Sequence, residues 1–284
     1  MELLIEVSSK NNLYLDSVDG IILPLEKYAV ESVCYYNMEE VEEISKSTKV
    51  FVKMNKNLNN NDIDEVRDIL IKLDKIGIEG VFFYDLAILQ LKKELNLDID
   101  LVWNQTHMVN NYKTCDYYYS RGVKYALLGK EITLDEIKDI ITKSKIISMV
   151  EVVSKPSVAF SKRKLITNYY NDLGKSSKNN LIVKEKVSDT NYQFVEDDNG
   201  TSIYLDTITN GTSIINDLYD IGCKYIIFRE FGIDCFYELL FDTKEYIETG
   251  CLKKDYIEKY KKLGDSTNFF FRKTIYRVKK NEKN

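Results

Sequence analysis

The sequence predicts an α/β chain, a TIM-type (β/α)8 barrel with a β-rich insertion between its seventh and eighth strands. Three observations predict it. Short β-branched runs alternate with amphipathic segments along most of the chain. Such alternation implies parallel strands joined by right-handed crossovers. Eight strand–helix units fall within a chain of 284 residues, the size of one barrel. A doubly wound open sheet is the alternative that alternation leaves open.

The predicted strands cover residues 2–9, 20–25, 49–55, 80–85, 99–105, 124–129, 147–153 and 224–230. The predicted helices cover 38–47, 62–77, 86–95, 110–122, 133–144, 211–222 and 234–250. In the second of these, Ile63, Val66, Ile69, Leu70, Leu73 and Ile76 recur at spacings of three and four and make one apolar stripe. Thr133 followed by Glu136 reads as a capping box. Gly77 stands where a left-handed cap ends a helix.

One interval breaks the rhythm. The stretch from about 154 to 210 is too long for a barrel loop and reads as an insertion. It opens with SKPSVAFSKRKLITNYYNDLGK and continues into a strand-rich part with a turn at Asp198-Asn199-Gly200. The chain 1–284 therefore reads as one barrel domain with an internal insertion and a basic tail over 271–284.

Composition narrows the function classes. The formal net charge of -5 argues against a general nucleic-acid coat, but leaves room for local basic patches. No apolar run is long enough to span a membrane, and the N-terminus lacks the pattern of a secretory signal. Five dispersed cysteines without a CxxC pair predict a reduced, cytoplasmic protein. The motifs HExxH, GxSxG, GxGxxG and the P-loop do not occur.

Barrel chemistry gathers where strands end. The polar residues at those ends are Lys53 and Asn55, Tyr84 and Asp85, Asn104, Gln105 and Thr106, Lys130 and Glu131, Glu151, and Arg229 and Glu230. Among them Asn104, Gln105, Glu131 and Glu151 are the candidate pocket residues, with Glu131 and Glu151 as the catalytic candidates. Lys162 and Arg163 are the candidate anion contacts. A competing reading pairs Lys162, Arg163 and Lys164 with the acidic stretch 196–200 and holds the insertion down. His107, the only histidine, has no assigned partner, and Cys115 reads as a packing residue.

Several ordered blocks resemble peptidase family U32, the collagenase-like proteases: QTHMVNNYKTCDYYYSRGVKYALLGKEITLDEI, MVEVVSKPSVAFSKRKLITNYY, YQFVEDDNGTSIYLDT and STNFFFRKTIYRVKK. The resemblance implies a barrel and a link to tRNA uridine hydroxylation, giving 5-hydroxyuridine at the wobble position, with prephenate as a family small-molecule ligand. It also implies a longer, cysteine-bearing paralogue and tRNA as partners. The historical family label implies a hydrolase instead, and a non-catalytic barrel that serves as a binding partner is the third reading.

Departures from the family pattern bear on cofactor and mechanism. Val153 and Ser154 stand at a family His-Gly pair, Ser157 and Lys164 at cysteine positions, and a further cysteine pair falls in the cysteine-free SSKNNL. Neither a hydroxyl nor an ammonium replaces a thiolate on iron, so the family iron–sulfur cluster is expected to be absent. Lys130 stands for a family arginine, keeping charge but losing the bidentate fork. IFREF replaces a family Lys-Ile-Glu-Gly-Arg block after the eighth strand.

Overall fold

The computed structural model describes all residues except 106, 177, 188, 251–254, 265–266, 268 and 273–284. Most of the predicted basic tail therefore lies outside the described residues, as does Cys251.

Eight parallel strands close a barrel. They are β1 (Glu2–Glu6), β2 (Gly20–Pro24), β3 (Lys49–Met54), β4 (Gly80–Phe83), β5 (Leu101–Trp103), β6 (Tyr125–Leu127), β7 (Ile147–Ser154) and β13 (Tyr225–Arg229). Each pairs with its sequence neighbour, β7 pairs with β13, and β13 returns to β1. The closed circuit leaves no free edge and rules out the open sheet.

Helices α1 (Met38–Ser45), α2 (Ile63–Ile76), α3 (Leu86–Leu95), α4 (Tyr112–Ser120), α5 (Leu134–Lys143), α7 (Ile215–Asp220) and α8 (Phe236–Thr249) follow the strands, with α9 (Tyr256–Tyr260) after them. The α2 stripe buries Val66, Ile69, Leu70 and Leu73. Gly77 ends α2 at φ 77°, a left-handed conformation that glycine adopts without a Cβ penalty. The capping box at the start of α5 forms between Thr133 and Glu136.

The insertion is a small α/β layer. Strands β8 (Ser157–Ser161), β9 (Asn180–Lys184), β10 (Asn191–Asp197) and β11 (Gly200–Leu205) form an antiparallel sheet in the order β8-β11-β10-β9. A helix that the sequence reading did not assign, α6 (Leu165–Asp172), lies within the basic stretch. Its polar composition, LITNYYND, hides the apolar face. Its first turn is held by Glu196, which accepts from the backbone N–H of Ile166 at 2.7 Å and of Thr167 at 3.2 Å. The short β12 (Thr209–Asn210) pairs antiparallel with β7 and leads the chain back into the barrel.

The insertion is fastened to the barrel at several points. Tyr35 Oη donates to Asp197 at 2.5 Å, Lys56 Nζ to Asn199 Oδ1 at 2.8 Å, and Asn199 Nδ2 to the Ala29 carbonyl at 3.0 Å. Gly200, at φ 140°, starts β11 where a Cβ would sit 2.1 Å from the Ser161 carbonyl oxygen. Only glycine fits that crossing without a backbone shift.

Candidate functional site at the barrel mouth

Strand alternation places the site. Leu4, Phe51, Val102, Met149 and Ile227 share the apolar cluster inside the barrel. Two residues further along the same strands or their ends come Glu6, Lys53, Asn104, Glu151 and Arg229, all on the same inward parity. The lower interior is thus apolar and aromatic, and its upper end is ionic.

The ionic groups form one lattice. Arg229 reaches Glu6 at 2.5 Å through Nη1 and Glu151 at 2.6 Å through Nε. Lys130 Nζ lies 2.7 Å from the other Glu151 oxygen, which also accepts from Ser154 Oγ at 2.6 Å. Lys53 Nζ donates to Ser32 Oγ at 2.7 Å and to the Glu31 carbonyl at 3.0 Å, and stands 3.4 Å from Glu6. Ser32 Oγ in turn donates to Glu6 at 2.7 Å. Lys53, Glu6 and Glu151 are all buried, so each charge depends on these partners.

The electrostatics follow from burial and neighbours. Burial pushes the Lys53 ammonium down to about 8, with Glu6 opposing and Arg229 reinforcing the fall. Burial alone would raise the Glu151 carboxyl, but Arg229 and Lys130 hold it well below the usual carboxylate range. Arg229 is itself held above its ordinary value, since Glu151 and Glu6 outweigh its burial. A carboxylate so strongly stabilised is a poor proton acceptor. Ser154 on Glu151 is therefore not an activated nucleophile.

Two spaces that share lining residues lie beside the lattice. A narrow inner cavity of about 30 Å³ is lined by Lys53, Asn55, Asn104, Lys130, Tyr204 and Arg229, among others. It has room for roughly one or two waters. An outer vestibule of about 340 Å³ is lined by Asn57, Tyr84, His107, Phe160 and Lys162, among others. Glu31, Asn55 and Ser157 border both spaces.

Two features mark this junction. Glu31 holds φ 56°, a left-handed backbone that a non-glycine residue adopts at a cost. It spends both ends, its carbonyl accepting from Lys53 and its carboxylate from Ser157 Oγ at 2.6 Å. Tyr204, on β11, borders the inner cavity with a buried hydroxyl that makes no hydrogen bond. Burial raises that phenol, and Glu31 and Glu6 raise it further.

The predicted site residues separate. Asn104 lines the inner cavity, and Glu151 lies in the lattice beneath it. Lys162 borders the vestibule and reaches Asn59 Oδ1 at 3.5 Å. Gln105 has the opposite strand parity from Asn104. It faces the helix layer, accepting from Trp103 Nε1 at 3.0 Å and donating to the Tyr84 carbonyl at 2.7 Å. Glu131 lies beyond the end of β6, exposed and outside both spaces. Arg163 is exposed and borders neither space. Gln105, Glu131 and Arg163 therefore do not join Asn104, Glu151 and Lys162.

Lys164 pairs with Asp198 at 3.0 Å, as the competing reading of the basic cluster has it. His107 borders the vestibule. Cys115 is buried, with a thiol pushed up to about 12 by burial, and acts as core packing. Sequence reasoning missed Glu6, Glu31, Ser32 and Tyr204. A buried-strand acid two residues above Leu4 was a usable signal for Glu6; Tyr204 carried none, because the insertion supplies it.

The departures from the family pattern fall at three separate places. Ser154 and Lys130 both bond Glu151. Ser157 is committed to Glu31 and Lys164 to Asp198, in different parts of the insertion. A hydroxyl and an ammonium so placed do not fit the donor set of an iron–sulfur cluster.

A parallel barrel with a buried ionic mouth and a capping insertion defines the class. The profile of peptidase family U32 matches residues 36–226, and the chain belongs to that family. The chain is 28% identical over 217 residues to the tRNA hydroxylation protein P2 of Bacillus subtilis (strain 168), covering 68% of this chain and 69% of that protein. Among solved structures, the U32 peptidase Mk0906 shares 17% identity at a TM-score of 0.44, covering 54% of this chain and 70% of its own. Orotidine 5'-monophosphate decarboxylase from Methanocaldococcus jannaschii shares 13% identity at a TM-score of 0.47, covering 87% and 99%. No helix among the described residues is long and apolar enough to cross a membrane.

Proposed function

We propose that the chain is a component of tRNA uridine hydroxylation, acting with a longer, cysteine-bearing relative of the same family. The observation that carries this reading is the 28% identity to a tRNA hydroxylation protein over 68% of the chain. The mouth is consistent with it. Its charged groups are held by one another, and its residues at the family cysteine positions are committed to other partners. In this division of labour the relative supplies the redox centre. This chain supplies a shaped, polar surface for substrate, and its site is cytoplasmic.

The Glu6–Arg229–Glu151 lattice fixes the strand ends and keeps the mouth rigid. Asn104 and Asn55 offer neutral amides beside it, suited to orienting a polar ligand rather than to moving a proton. The test is nucleoside mass spectrometry of total tRNA from a strain lacking the gene. Loss of 5-hydroxyuridine derivatives, restored by complementation, is the expected result. An unchanged profile would sink the reading. Affinity purification of the tagged chain is expected to recover the longer relative.

A further inference from the structure

We propose that the insertion joins two copies of this chain edge to edge, with β9 of one copy antiparallel to β9 of the other about a two-fold axis that sets Ile182 opposite its own counterpart. The inference stands on the insertion sheet alone and does not depend on the hydroxylation reading above.

Hydrogen bonding fixes what the edge offers. β9 ends the sheet order, and no strand among the described residues meets its outer side. Against β10 it runs in unbroken register, from Asn180 opposite Val195 to Lys184 opposite Asn191. The Glu185 N–H donates to the Thr190 carbonyl at 2.8 Å, and the Asn179 carbonyl accepts from the Glu196 N–H at 2.9 Å. Bonded positions alternate along an antiparallel ladder. Asn179, Leu181, Val183 and Glu185 therefore turn their backbone groups to β10, while Asn180, Ile182 and Lys184 turn theirs outward. Proteins guard such an edge with prolines, bulges or lysines. β9, NLIVK, has neither proline nor bulge. Its lysine, Lys184, is drawn back to Asp189 at 2.7 Å.

Side chains then select the occupant. In the register centred on Ile182, every outward residue exchanges N–H and C=O with an outward residue of the second copy, Ile182 with its counterpart and Asn180 with Lys184. Leu181 meets Val183 between these bonds. Apolar positions thus oppose apolar ones, and polar oppose polar, on both faces of the joined sheet. A shift of two residues sets Leu181 against Glu185 in one direction and Val183 against Asn179 in the other, and each leaves an outward residue unpaired. A foreign strand would have to reproduce this order, whereas a second copy carries it already. Apolar surface supports the same pairing. Ile182 and Val183 are exposed. A groove of about 370 Å³ beside them is lined by Leu165, Ile166, Tyr169, Leu181, Val183 and Phe194. Helix α6 packs over β10 and β11 and leaves this outer border of the sheet open. In the pair, Val183 and Leu181 of the second copy continue the apolar floor across the axis, and removing that surface from water favours association.

The experiment is sedimentation velocity of the purified full chain in a concentration series up to about 100 μM, far above a Kd of about 1 μM. A dimer is expected. A monomer throughout overturns the proposal, even if the edge then proves to capture a different protein. Ile182→Pro removes a donor that β10 does not use and is expected to abolish the dimer. Ile182→Lys sets like charges against each other on the axis and is expected to do the same with the backbone unaltered. A dimer that survives both changes overturns the seam. Ile182→Cys fixes the register. Its counterpart lies directly opposite, at a Cα separation of about 5.5 Å that a disulfide can bridge. Mild oxidation is expected to link the two copies above the background set by the parent chain's own cysteines. Asn180→Cys, about 14 Å from its counterpart along the seam, is expected to stay at background. Equal linking of the two variants, or linking of neither, overturns the register.

Discussion

The lattice at the top of the barrel and the vestibule above it are neighbours with opposite chemistry. In the lattice, Glu6, Glu151 and Lys53 are buried, Arg229 is half-buried, and each bonds to another of the four. In the vestibule, Tyr84, His107, Asn57 and Lys162 are exposed, and Lys162 meets a single distant amide oxygen. The difference teaches where function resides. Groups whose valences are filled within the fold set geometry, and groups left open toward solvent meet ligands. Of the strand-end charges that look most catalytic by residue type, Glu151 is the shared partner of Lys130 and Arg229.

The largest expected effect tests the lattice. Arg229→Met leaves Glu6 and Glu151 facing each other across an apolar side chain, with Lys53 and Lys130 as their remaining partners. Denaturant unfolding is expected to show a loss of about 3–5 kcal/mol. A loss below about 1 kcal/mol, the scale of an exposed pair, would erase the contrast between the two regions.

The next effect is pH-dependent. The Lys53 ammonium falls to about 8 when folded, from an ordinary value of 10.5. The unfolded chain therefore binds the extra proton between these values, and folding becomes more favourable as pH rises through that window. Below about pH 8 the penalty of the buried charge is fully present. The stability of the parent chain relative to Lys53→Met is expected to be flat up to about pH 8 and to rise above it. A difference independent of pH would mean that Lys53 keeps an ordinary affinity for its proton.

A smaller change probes the boundary between the regions. Tyr204→Phe removes a buried hydroxyl that has no partner. The ligand-free protein is expected to keep its stability or gain about 1 kcal/mol. A clear loss would show that the hydroxyl is satisfied in solution. The smallest effect belongs to the surface: Lys164→Ala breaks an exposed pair with Asp198, and thermal unfolding is expected not to change measurably.

Particular residues show how far the sequence could be read. Asn104 and Gln105 are adjacent and equally polar, yet one enters the cavity and the other bonds Trp103 behind the strand. The parity of a strand distinguishes them, and Val102 and Trp103 are both buried, so composition alone does not reveal which side is the barrel interior. Lys162, Arg163 and Lys164 are contiguous, but they diverge at the turn from β8 into α6, toward the vestibule, solvent and Asp198. Glu196 was legible as part of an acidic stretch. Its role, holding the first turn of a helix thirty residues earlier in the chain, was not.

By itself the sequence determined the barrel, its eight strands and most of its helices, because short β-branched apolar runs and near-period-four stripes are local patterns that the chain must carry wherever it goes. It also carried the family resemblance and the insertion, which are matters of order and length. The tertiary structure alone decided the mouth. Glu6 and Arg229 are 223 positions apart, and Glu31 and Ser157 are 126 apart. Their meeting depends on barrel closure and on the insertion folding back over β2 and β3. No local pattern encodes those events, since a charged side chain at a strand end looks the same whether it faces water, a ligand or an opposite charge.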